Sequence, residues 1–173
     1  LNRVGMIPRV VNPMRVIGPG TRRRATFCAR LVQGRVSMGF NRHHSDHIVN
    51  LDECHVVTPG IISILPDLRL LMSALLGGTV REVDVSVSEL DTGFDILITG
   101  DVKMDLIRHE AIAEFVRTVN VARVSMRIKD RAEIEVLVQP KPARMTVGGV
   151  VIDPAPGCRS EERRVGKECT IQC

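Results

Sequence analysis

Strict alternation is the clearest pattern in the chain. Between Val80 and Leu90, Val83, Val85 and Val87 alternate with Asp84, Ser86 and Ser88. Successive side chains of a strand point to opposite faces, so this predicts a strand with one face buried and one in water. Asp91-Thr92-Gly93 supplies turn residues, and Phe94 to Thr99 reads as the returning strand of a hairpin. Upstream, Thr21 to Val32 and Arg35 to Asn41 predict another hairpin about Gln33-Gly34. Downstream, Ala122 to Ile128 and Ala132 to Gln139 predict a third, turning at Lys129-Asp130-Arg131. Met145 to Ile152 predicts a fourth about Gly148-Gly149.

The period changes to a helical one twice. From Pro59 to Leu76, apolar residues recur at Ile62, Leu65, Leu68, Leu71 and Leu75. Pro66 breaks or kinks that helix into a short turn and a longer piece, and Gly77-Gly78 ends it. Met104 to Val119 predicts another helix, with Ile107, Ala111, Ile112, Phe115 and Val119 as its apolar stripe. Residues 1–20 carry Pro8, Pro13, Gly18, Pro19 and Gly20 and read as extended chain or loop. Residues 42–58 read as loop with a short strand at Ile48–Leu51. The order of elements predicts an α+β domain: a mostly antiparallel sheet with hairpins and about two helices.

Composition changes this picture little. The 173 residues suffice for one domain with a core. No apolar run approaches the roughly 20 residues of a membrane span, and no charged-then-apolar start suggests a signal peptide. The five cysteines are odd in number and lack metal-knuckle spacing, which predicts a reducing, cytoplasmic setting.

Charge changes it more. The net charge is +4, yet residues 1–42 hold nine arginines and no acidic residue, while residues 43–158 hold 11 basic and 17 acidic residues. A basic N-terminal part of this kind fits a polyanionic partner, with nucleic acid foremost, or else a solvated Arg-rich surface. Arg22, Arg23 and Arg24 on one strand, with Arg42 nearby, would make a phosphate-binding edge. Phe40, between Gly39 and Asn41-Arg42, could stack on an unpaired base. A core role is the more ordinary reading, since four phenylalanines are the only aromatics available to fill the core. His43, His44, Asp46, His47, Asp52, Cys54 and His55 are rich in potential ligands but fit no zinc spacing well. Cys28, between Phe27 and Ala29, reads as a core thiol.

The order of three blocks resembles a family. Thr21-Arg-Arg-Arg-Ala25, Met38-Gly-Phe-Asn-Arg42 and Ser45-Asp-His-Ile-Val-Asn-Leu-Asp-Glu-Cys54 are similar to the central domain of the bacterial 23S rRNA uracil-5 methyltransferases. These are S-adenosylmethionine-dependent RNA methyltransferases. Weaker likeness continues to Val151-Ile-Asp-Pro-Ala-Pro-Gly157, which resembles the approach to the cofactor domain. The resemblance implies that Arg22–Arg24 lie near the 23S rRNA substrate. It also implies that Cys54 is the last of four thiolates on a [4Fe–4S] cluster. Asn50 stands where many members carry Asp.

The remaining cluster cysteines, the S-adenosylmethionine loop, the nucleophilic Cys and the general base have no counterpart here. Residues 1–158 are therefore expected to be a central domain truncated at both ends, without the Rossmann-like cofactor domain and without catalytic activity of its own. Arg159-Ser-Glu-Glu-Arg-Arg-Val-Gly-Lys-Glu-Cys169 resembles a translated sequencing adapter, so residues 159–173 are expected to be a non-native tail. Two alternatives stand beside this reading: a stand-alone RNA-binding module, and a small zinc protein using His43, His47, Cys54 and His55.

Overall fold

The computed structural model describes residues 18–42, 45, 47–129 and 133–158. Nine strands and three helices follow in the order β1 (Arg24–Val32), β2 (Arg35–Asn41), β3 (Ile48–Asn50), α1 (Pro59–Ser63), α2 (Leu65–Leu75), β4 (Glu82–Leu90), β5 (Gly93–Thr99), α3 (Leu106–Thr118), β6 (Val121–Arg127), β7 (Glu135–Val138), β8 (Met145–Val147) and β9 (Val150–Ile152). Seven strands form one sheet in the order β3-β2-β1-β4-β5-β6-β7, and β8-β9 form a separate ribbon. The fold is α+β with a mostly antiparallel sheet, as the pattern predicts. One pair departs: β5 and β6 run parallel. The helix α3 lies between them in sequence, and a helical crossover returns the chain in the same direction.

Alternation places the core. Ala25, Phe27 and Ala29 of β1, Val83, Val85 and Val87 of β4, and Ile96 and Ile98 of β5 are all buried on one face. Ile61 of α1, Leu65, Leu68, Leu71, Met72 and Leu75 of α2, and Ile112 and Phe115 of α3 cover that face in a single cluster. The first predicted helix is indeed two pieces, with Pro66 in the opening turn of α2, where its missing N–H costs nothing.

Two local expectations are corrected. Ile107 is 72% exposed and not part of the α3 stripe. Its neighbour Arg108 faces α2 instead, donating from Nε to the Leu75 carbonyl (3.2 Å) at the end of that helix. The inner side of α3 therefore carries Arg108, Ala111, Ile112 and Phe115, with Val119 at its C-cap, and an arginine cap replaces an apolar contact. The first strand also starts later than predicted. Arg22 lies outside β1 on a one-residue parallel bridge to Val57, with its N–H on the Val56 carbonyl and its carbonyl receiving the Thr58 N–H. The expected turn at Lys129-Asp130-Arg131 falls partly outside the described residues, as do His43, His44, Asp46 and the 159–173 tail.

Among the described residues, no helix is long and apolar enough to cross a membrane.

Candidate nucleic-acid interface

The β1–β2 hairpin gathers the predicted residues at one end of the sheet. The turn at Gln33-Gly34 pairs Val32 with Arg35 and Cys28 with Gly39. The far end of β2, Phe40 to Arg42, is thereby returned beside the start of β1. Gly39 is required at the crossing: a Cβ there would lie 1.9 Å from the Val49 carbonyl oxygen of β3. Beyond β2 the Arg42 N–H bonds the His47 carbonyl, and β3 pairs back onto β2. The Met38 N–H donates to Asn50 Oδ1 at 3.2 Å, a task that an aspartate oxygen could equally perform.

The four arginines do not share one environment. Arg22 and Arg42 are exposed, and among the described residues neither pairs with a carboxylate. Arg23 reaches the β4–β5 turn, donating from Nε to the Glu89 carbonyl and from Nη2 to Asp91 Oδ1, both at 2.9 Å. That pair, together with the Thr146 N–H, holds the Asp91 carboxyl below its ordinary range. Arg24 is half-buried and donates from Nη1 to the Cys158 carbonyl at 2.6 Å.

Phe40 falls between its two predicted roles. One side of the ring packs on Phe27, with centroids 5.3 Å apart and planes tilted by 40°. Phe40 is nevertheless 39% exposed, whereas Phe27 is wholly buried. A partly covered aromatic at the same end of the sheet as two exposed arginines offers both a stacking surface and phosphate donors.

Cys54 lies in the loop between β3 and α1 and is half-buried. Its Sγ accepts the Val56 N–H at 3.5 Å. It borders a groove of about 580 Å³ whose walls include Pro19, Val57, Pro59 and Ile62. A soft donor, an N–H aimed at the sulfur and apolar walls suit one thiolate of an iron–sulfur cluster. The described residues supply only that one. No three His, Cys, Asp or Glu side chains among them come together as a metal site, so His47, Cys54 and His55 do not form one by themselves. Cys28 is a different thiol. Burial first, then Glu82 and Asp84, push it up to about 11, which suits a core residue and not a nucleophile.

Sequence reasoning missed the charged groups on the sheet's second face. Asp95 and Arg123 are both 4% exposed and pair there. Charges inside apolar strands were the available signal, since such residues are buried only when paired.

No family model matches the chain. It is 30% identical over 168 residues to an uncharacterized RNA methyltransferase of Rhizobium meliloti, covering 97% of this chain and 39% of that protein. Since that match takes in 168 of 173 residues, it reaches into residues 159–173. An uncharacterized RNA methyltransferase of Brucella suis is 34% identical over 148 residues, or 86% of this chain and 34% of that protein. A shorter match, 41% over 59 residues, covers 34% of this chain and 12% of the 23S rRNA (uracil(1939)-C(5))-methyltransferase RlmD of Halomonas elongata. The chain spans little more than a third of the length of these two uncharacterized relatives. The chain is thus similar over most of its length to part of proteins named as RNA methyltransferases, and over a shorter stretch to a 23S rRNA uracil-C5 enzyme.

Proposed function

We propose that this chain is the RNA-contacting central part of a cytoplasmic, S-adenosylmethionine-dependent methyltransferase that modifies C5 of a uridine in 23S rRNA. The observation that carries the reading is the grouping of exposed Arg22 and Arg42 with half-exposed Phe40 at one end of the sheet. Arg22 and Arg42 bind phosphates, Phe40 stacks on a base, and Arg23 and Arg24 shape the edge through their protein partners. Cys54 is one of four thiolates on a [4Fe–4S] cluster, with the others outside the described residues. Such a cluster, when bound, supplies soft metal–sulfur bonds that tie its ligand segments together. Methyl transfer itself belongs to parts of the longer protein, and the chain alone is inactive.

The test is binding of a fluorescent 23S rRNA stem-loop to the chain between 50 and 200 mM salt. Affinity that falls steeply and linearly on log–log axes supports the reading. Salt-independent binding, or none at 50 mM, removes it. Methyl transfer to RNA by the isolated chain would remove the assignment of catalysis to other parts.

A further inference from the structure

The sheet face turned away from the helices is covered at its β5–β6 end. Asp95 and Arg123 stand opposite each other in the parallel ladder. Arg123 donates from Nε to Asp95 Oδ1 (2.9 Å) and from Nη2 to Oδ2 (3.1 Å). The same Nη2 also donates to the Pro154 carbonyl at 2.8 Å. Asp95 therefore neutralises the buried guanidinium and fixes its plane, leaving an N–H aimed at a backbone oxygen of the segment after β9.

Two further contacts hold the same segment. Leu97, on the same face as Asp95 and 4% exposed, lies under Gly157. A Cβ on Gly157 would come within 2.4 Å of Leu97 Cδ2, and Gly157 has φ +69°, a left-handed conformation that other residues adopt only with strain. Arg24, on β1 and two strands away from β5, donates to the Cys158 carbonyl. Between these points Pro154 and Pro156 restrict the backbone, and the Cys158 N–H closes a turn onto the Ala155 carbonyl at 2.9 Å.

We infer that Arg123, oriented by Asp95, acts with Leu97 and Arg24 as a latch that straps residues 153–158 rigidly across the sheet. The direction of the chain at Cys158 is then set by the sheet and not by a free linker. This does not depend on the proposed RNA role. It gives Arg24 a positioning task distinct from phosphate binding.

The test is ¹⁵N relaxation on the 173-residue chain. Ala155, Gly157 and Cys158 are expected to show order parameters near those of β5 and β6, about 0.85. Arg24→Met and Gly157→Ala both lie outside the apolar core. Each is expected to lower Gly157 and Cys158 below about 0.6 while β4–β6 amide shifts remote from Leu97 stay in place. Replacing the ion pair together, Asp95→Leu with Arg123→Met, avoids leaving one buried charge alone and is expected to free Ala155. If that variant does not fold, the first two still decide. Wild-type values already at loop level, or rigid values retained in both Arg24→Met and Gly157→Ala, would overturn the latch.

Discussion

Arg23 and Asp91 join the entrance of β1 to the β4–β5 turn, with Nη2 and Oδ1 2.9 Å apart. Asp91 also accepts the Thr146 N–H at 2.6 Å, so the same carboxylate reaches the β8–β9 ribbon. Its folded pKa is lowered, chiefly by the Arg23 hydrogen bond and then by Thr146. A depressed carboxylate contributes stability above its unfolded pKa and loses it as pH falls through the folded value. In Arg23→Ala the Asp91 pKa is expected to move up toward the ordinary aspartate range, and the acid limb of the unfolding curve to flatten. Carboxyl NMR titration checks this; an unmoved Asp91 would contradict it.

The different surroundings of the arginines predict a ranking in RNA binding. Arg22→Ala and Arg42→Ala should each reduce the salt slope by about 1 and weaken binding alike across sequences. Arg23→Ala should do less, because its guanidinium is already engaged by Asp91 and Glu89. Anisotropy titrations at several salt concentrations read the slopes, and equal losses in all three variants would refute the ranking.

Two phenylalanines in ring contact should separate stability from binding. Phe27→Ala, at a fully buried position, is expected to cost about 3–5 kcal/mol in urea unfolding. Phe40→Ala removes a part-exposed ring and should cost about 1 kcal/mol, near the worth of an aromatic pair. It should nonetheless weaken RNA binding by about 1–3 kcal/mol if the ring stacks on a base.

The thiols should react in a set order. With a pKa of about 11, Cys28 has roughly one thiolate in a thousand at pH 8, and its side chain is buried. Iodoacetamide mapping by mass spectrometry should find Cys54 modified well before Cys28. Equal rates would mean that β1 opens freely.

Gly39→Ala should detach the short edge strand. The added Cβ meets backbone, not a movable side chain tip, so β2 and β3 must separate. The expected cost is about 1–3 kcal/mol, with exchange protection lost at Ile48–Asn50 and retained in β4–β6. Retained protection in β3 would show that the backbone yields elsewhere.

Much of the fold was legible because period is a local property. Val83, Val85 and Val87 declare a strand face without any knowledge of its neighbour, and Gly148-Gly149 declares a turn. Pairing is not local: nothing in Phe94–Thr99 says that β6 will lie beside it in parallel. Ile107 misled because an apolar residue at helical spacing outweighs an arginine in any periodicity reading, yet Arg108 had a carbonyl to cap. The candidate site was legible in its membership but not in its division of labour. Arg22, Arg23 and Arg24 are identical as letters and differ only in which carbonyls and carboxylates the fold places beside them.

The β1–β4 ladder carries a consequence for how the chain reaches this state. Cys28 stands opposite Asp84 and Thr26 opposite Ser86, partners remote in sequence. Every hairpin to either side closes a short loop, whereas this seam closes the long one that holds β2, β3, α1 and α2. Loop closure must precede the contacts that reward it, and non-local pairings slow folding. The two halves of the sheet can therefore assemble early, and their joining along β1 and β4 is expected to limit the rate. Substitutions at Val85 should slow folding, and substitutions in the β8–β9 ribbon should mainly hasten unfolding.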